Sequence, residues 1–285
     1  MARLRVFAEA GWEGDELFLH RGSTLFHTGF LKIDWRSDGR IFLSSKQYKR
    51  CEHETQIEER IMSEGFLSID NYSRVTEIIQ GAFHVDYLLP QYVFKKNYKF
   101  TLLREFGLGS NLMEIIHDGR FCSQTDIILL SVLDPNPISY FYKHFGKINS
   151  FRFGANITDE EYSTLVQLSP GNDADALLYH GDTVVWIPEH ADWAIWGQRD
   201  PEITVIGFDD PALADFLLND VGYWFDAETA LKVFAGMPYR SNGYKAPEDF
   251  ARPLIENYGS RKDLERKLDE AGIRLKPGIW ADEAE

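Results

Sequence analysis

Thr183-Val184-Val185-Trp186-Ile187-Pro188-Glu189-His190-Ala191-Asp192-Trp193-Ala194-Ile195-Trp196-Gly197-Gln198-Arg199-Asp200 and the following Glu202-Ile203-Thr204-Val205-Ile206-Gly207-Phe208 decide how the chain is read. Short apolar runs rich in β-branched and aromatic residues, broken by charged and turn-forming residues, have the pattern of strands in a sheet. Segments 176–179, 183–188 and 202–208 are expected to form a meander. The Trp186, Trp193 and Trp196 stretch leaves two readings open. Tryptophan joins a large apolar area to an N–H donor, which suits a binding hot spot flanked by acids. The same residues also suit the core of a small sheet, with Arg199 pairing to Asp192 or Asp200.

Charge sharpens the first of these readings. The chain's formal net charge is −15. From Asp159 to Glu228 there are 16 acidic residues against the single basic residue Arg199. Such a field repels nucleic acid and membrane phosphates and draws in a basic partner, or else simply solvates the surface.

Outward from this stretch, helix signals appear. Thr158 can cap a helix, with Glu161 at the capping-box spacing. Asp210-Pro211 opens a helix through Leu218, residues 227–234 continue helical, and 263–271 form a charged helix ended by Gly272. Phe151 and Phe153 read as a strand, as does the apolar run 126–133, which Asp134-Pro135-Asn136-Pro137 stops. Residues 4–8, 16–20, 40–44, 88–94 and 98–103 read as extended, and 54–63 and 72–83 as helices. Lys95-Lys96-Asn97-Tyr98-Lys99-Phe100 interleaves bases with aromatics, and in so acidic a chain this reads as a lysine-protected edge strand. The expected fold is α+β, with two units, 1–146 and an acidic 147–285, each a mainly antiparallel sheet with flanking helices. Leu17-Phe18-Leu19-His20-Arg21-Gly22 echoes Leu177-Leu178-Tyr179-His180-Gly181, and duplicated modules would explain the echo.

Class signals are sparse. The opening residues lack a signal-peptide pattern, no run approaches the roughly 20 apolar residues of a membrane span, and Cys51 and Cys122 are too few for a disulfide scaffold. A cytoplasmic location is the expectation. Cys51-Glu52-His53 with His117 and Cys122 lacks the ligand spacing of a structural zinc site, so no metal and no cofactor are expected. Phosphate loops, nucleophile elbows and His-Glu-x-x-His helices are missing, which leans the reading away from an enzyme.

Two family resemblances follow from particular residues. Trp193-Ala194-Ile195-Trp196-Gly197-Gln198-Arg199-Asp200, followed by 202–206, resembles segments of uncharacterised bacterial cytosolic immunity-type proteins. The resemblance covers the C-terminal third. It implies a protein-binding inhibitor that neutralises a cognate toxin by occluding its site, with acids facing a basic cleft. The partner-binding residues expected on this reading are Asp173, Asp175, Asp182, Trp186, Glu189, Asp192, Trp193, Trp196, Asp200, Glu202, Asp209 and Asp210; no catalytic residue is assigned. As the alternative, Phe18-Leu19-His20-Arg21-Gly22, Thr28-Gly29-Phe30 and Phe42-Leu43-Ser44-Ser45 resemble the arginine and serine strands of ADP-ribosyltransferases. That resemblance implies an enzyme acting through the N-terminal unit. It departs from the family's pattern at the later acidic turn, because Glu52, Glu54, Glu58 and Glu59 follow too closely.

Overall fold

The computed structural model describes residues 66–109, 112–235 and 245–276, together with the strands β1 (Ala10–Glu13), β2 (Glu16–Leu19) and β3 (Ile41–Ser44). The chain divides into two compact units, Met1–Arg60 and Ile61–Glu285. In the first, β1, β2 and β3 pair antiparallel in that order, with Phe18 opposite Phe42. The expected strand 4–8 and helix 54–63 lie outside the described residues.

The second unit is built on a six-stranded sheet of order β4-β9-β8-β7-β5-β6, antiparallel at every pairing. Its strands are β4 (Phe100–Glu105), β5 (Ile127–Asp134), β6 (Ser150–Gly154), β7 (Thr183–Pro188), β8 (Trp193–Gln198) and β9 (Ile203–Phe208). Every residue of β7, β8 and β9 is buried. The usual alternation of apolar and polar residues is missing because both faces of the sheet are covered. Against one face pack α1 (Ile69–Ala82), α6 (Ala227–Val233) and α7 (Glu248–Tyr258), whose Val75, Ile79, Ala230 and Leu254 share a core with Val185, Ala194, Trp196 and Val205. Cross-strand register places Trp186, Trp193 and Arg104 on the other face. There the Trp186 Nε1 donates to the Tyr162 hydroxyl of α3 (Asp159–Gln167) at 3.3 Å.

Local chemistry explains most element ends. Thr158 Oγ1 accepts from Glu161 N–H at 3.2 Å while Glu161 Oε2 accepts from Thr158 N–H at 2.9 Å, completing the expected capping box. Asp210 caps α5 (Pro211–Asp215), which runs into a π turn, Phe216–Val221. Ser260 caps α8 (Arg261–Ala271), which ends on Gly272 in the left-handed region. Shorter helical pieces are α2 (Met113–His117), the single turn α4 (Leu177–His180) and a π turn, Pro137–Tyr142, that runs on through Lys143–Phe145.

The structure is α+β, as expected, but three organisational expectations are corrected. A division at 146/147 would cut one hydrogen-bonded sheet, since β4 and β5 precede it and β6 to β9 follow. Segment 176–179 is helical rather than the first strand of the meander, and its place is taken by Trp193–Gln198. Asn172 caps a 3-10 turn at Asp173–Asp175 that leads the chain into α4, and a run of four residues is too short for periodicity to reveal this. The echo between 17–22 and 177–181 therefore pairs a strand with a helix and is no duplicated module. The expected edge strand at 95–100 is displaced: Lys95, Lys96 and Lys99 precede β4, which holds no lysine and lies at the sheet edge.

Close packing gives a stability test. A side-chain carbon at Gly207 would clash with the Cδ2 edge of the Tyr98 ring, whereas one at Gly81, on α1, would meet nothing within 4 Å. Gly207→Ala should destabilise by about 1–3 kcal/mol and Gly81→Ala should stabilise by about 0.5–1 kcal/mol, both read from urea unfolding midpoints.

Candidate functional site

In an antiparallel sheet successive connections lie at opposite ends, and this divides the acidic stretch. A six-residue strand is roughly 20 Å long. Asp182, Asp200 and Glu202 therefore stand at one end of the sheet, while Glu189, Asp192, Asp209 and Asp210 stand at the other. The twelve expected partner-binding residues do not form one surface. Trp186, Trp193 and Trp196 are at most 2% exposed, which corrects their assignment as presented anchors. The layer on each face of the sheet takes them inward. Asp175 is also buried, its Oδ1 accepting from the Tyr140 hydroxyl at 2.9 Å. Asp173 is exposed in the turn before α4.

At the end carrying Glu189 and Asp192, the carboxylates are engaged by neighbouring side chains or by backbone N–H groups. Lys96 Nζ meets Asp209 Oδ2 at 2.7 Å and Arg152 meets Glu189 at 2.8 Å. The two ring nitrogens of His190 face Asp126 and Asp192 oxygens, each at 3.2 Å. Asp210 Oδ1 accepts from the Ala212 N–H. Burial pushes the Asp209 carboxyl up, but hydrogen bonds from Lys96 and from the Lys99 N–H outweigh it and hold the group below the usual carboxylate range. A cleft of about 370 Å³ opens here between Lys96, Arg120, Asp192 and Asp209, over Phe121 and Phe208.

The opposite end is built differently. Backbone bonds lace five neighbouring strand ends in a line: Asp182 N–H to the Asp134 carbonyl (2.9 Å), Arg199 N–H to Asp182 (2.8 Å), Glu202 N–H to Arg199 (2.9 Å) and Phe106 N–H to Glu202 (2.9 Å). Carboxylates of Asp134, Asp182, Asp200, Glu202 and Glu105 project from this line, which spans about 19 Å at the usual interstrand spacing. The one base among them, Arg199, gives its guanidinium to the carbonyls of Gly181 (3.1 Å) and Leu178 (3.0 Å) and lies 3.6 Å from Asp182. Glu202 has φ +55°, in the left-handed region that favours glycine. Partial burial raises its pKa, and the neighbouring Glu105 raises it further. Tyr179, on the α4 turn that Arg199 ties to this end, is 61% exposed.

Glu105, Asp134 and Tyr179 were missing from the expected site. Glu105 and Asp134 lie outside the acidic stretch, and each ends a strand; Tyr179 sits on a helical turn, where the spacing of 176–179 suggests a strand. Among the described residues no group of three or more His, Cys, Asp or Glu is placed to hold a metal ion. Cys122 is buried, which pushes its thiol up to about 11, and His117 Nε2 lies 2.6 Å from the Ile157 carbonyl. Cys51, His53, Arg21, Thr28, Ser45 and Glu52 to Glu59 lie outside the described residues. No described helix is long and apolar enough to cross a membrane. Comparisons with protein-family models, curated proteins and solved structures returned no match.

Asp126, held low first by the His190 hydrogen bond and then by the Ser123 N–H, joins Asp209 in binding fewer protons folded than unfolded. Their stabilisation is complete above about pH 5 and is lost as pH falls through the folded values below about pH 4. Thermal unfolding from neutral pH to about pH 3 should show Tm falling in that window, with a shallower fall in Asp126→Asn and Asp209→Asn.

Proposed function

We propose that this chain is an acidic protein-binding inhibitor of the immunity type, which neutralises a bacterial toxin by seating the Asp134, Asp182, Asp200 and Glu202 end of its sheet over a basic active site. The observation that carries this reading is Glu202. It occupies a backbone conformation that costs a non-glycine residue roughly 1–2 kcal/mol, and its carboxylate is crowded by Glu105. Ala191 shares the conformation without the charge; at Glu202 both features work against the fold, and such departures cluster at functional positions. A partner that presents Lys and Arg converts the same crowding into attraction. Exposed Tyr179 supplies the aromatic anchor that the buried tryptophans cannot.

The test begins with capture of partners from the native cells, followed by expression of a captured basic protein alone and together with this chain. Toxicity alone and its loss on co-expression support the reading. The association rate should fall at least tenfold between low and moderate salt, on the order expected for electrostatic steering, and Asp182→Asn/Asp200→Asn/Glu202→Gln should slow it at low salt. Equal binding and rescue by the triple variant would remove this surface from the function. Glu202→Gly should raise Tm by about 2–4 °C while slowing association, a divergence that a purely structural residue would not give.

The pairing of β2 with β3, which sets Phe18 opposite Phe42, favours a second reading as an ADP-ribosyltransferase-like enzyme acting through the N-terminal unit. Nicotinamide release from NAD that disappears in Arg21→Ala would support it, and absence of release would dismiss it.

A further inference from the structure

On the sheet face away from α1, a row of side chains crosses β9, β4 and the segment beyond. Arg104 of β4 is opposite Thr204 of β9. On the open side of β4, Leu103 and Phe225 exchange backbone hydrogen bonds at 2.7 Å in an antiparallel bridge, so Trp224 comes opposite Arg104. Directly opposed side chains in such pairs have Cβ atoms about 5 Å apart. The guanidinium carbon of Arg104 lies 5.4 Å from the centre of the Trp224 ring. Arg104 is 6% exposed, Thr204 0% and Trp224 1%.

Among the described residues six buried side-chain atoms lack a hydrogen-bond partner, and three of them meet in this row, the others being Asn149 Oδ1, Trp193 Nε1 and Trp196 Nε1. Arg104 Nη1, Thr204 Oγ1 and Trp224 Nε1 are buried without a partner, and Arg104 Nε has only a long 3.4 Å contact with the Glu105 carbonyl. Tyr162, near enough to feel the Arg104 charge, accepts from Trp186 and keeps its own O–H to donate. Glu114 also feels that charge, yet among the described residues no carboxylate lies within 4.0 Å of the guanidinium. Contact with the Trp224 face offsets part of the cost of burying the cation and satisfies none of its N–H groups. A buried charge is ordinarily paired and a buried donor ordinarily bonded. Here N–H and O–H donors from four residues share one sheet face with a buried cation that has no ion-pair partner among the described residues.

We infer that Arg104, Thr204, Trp224 and Tyr162 form an oxyanion site that takes the carboxylate or phosphate group of a small ligand. Such a group is all acceptor and carries the missing negative charge. The planar guanidinium fork suits two of its oxygens, and the hydroxyl and indole donors suit the rest. A cation or an uncharged donor would leave the row as unsatisfied as before. Arg104 is the penultimate residue of β4, so the row lies one residue inside the end of that strand. The site is independent of the acidic row, and its failure would leave the protein-binding reading untouched.

Thermal unfolding of the full chain in chloride, phosphate and acetate at equal ionic strength tests the inference. Phosphate or acetate should raise Tm above the chloride value by roughly 5 °C at about a hundred times its dissociation constant. Thr204→Val removes one donor with little change of shape and should weaken the effect about tenfold; Arg104→Met should abolish it. If Arg104→Met does not fold, Trp224→Phe, which keeps the ring face and loses the N–H, replaces it. A response to phosphate alone assigns the group as phosphate, and a response to acetate alone assigns it as carboxylate. No rise over chloride with either anion, or an equal rise in the wild type and in the variants, would overturn the site.

Discussion

Burial of both sheet faces is the constraint on which the rest of the second unit depends. Once β7, β8 and β9 are covered above and below, their side chains have only inward places to go, and both the tryptophans and the β-branched residues become core. A polar group within the strands has only the layer in which to find a partner, as Trp186 does at Tyr162 and Thr204 does not. Charge is left with the strand ends. The distribution of acids is therefore a product of topology, with the antiparallel order dealing them alternately to two sites of different character.

Those two ends illustrate separate uses of the same residue type. Around His190, Lys96 and Arg152 the acids hold turns and neighbouring segments together through their own ion pairs and hydrogen bonds. Along the Asp134, Asp182 and Glu202 line the backbone supplies most of the cohesion, and apart from Asp182, which lies near Arg199, no ion pair engages these carboxylates among the described residues. Rigidity of the backbone and availability of charge coexist there because different atoms provide them. Carboxylates set on a hydrogen-bonded backbone leave only their side chains to be ordered when something binds them.

Much of this architecture was legible in the residues themselves. Thr158 and Glu161, Asp210-Pro211, and Gly272 carry their helix ends in local chemistry, and the apolar run ending at Asp134 needs no context to be read as a strand. What escaped was non-local. Trp193 to Gln198 could be read as surface or core because only the helices covering the sheet settle its environment. Glu105 pairs across to Ile203, a neighbour that no spacing rule provides. The acidic stretch was visible as composition, yet its division between opposite ends depends on strand direction. The donor row at Arg104 was invisible for the same reason, since its members come together only through pairing.

The position of β4 has a consequence for how the chain is made. Its first residue, Phe100, pairs with Phe208, so the strand leaves the ribosome more than a hundred residues ahead of its neighbour. At roughly 5–20 residues per second, β4 waits several seconds without its only strand partner in the sheet. During that interval Phe100, Leu102 and Leu103 form an apolar strand edge of the kind that invites pairing between nascent chains. Lys95, Lys96 and Lys99 stand directly before it. Mutual repulsion of those lysines guards the strand until β9 arrives, after which Lys96 takes Asp209 as its ion-pair partner.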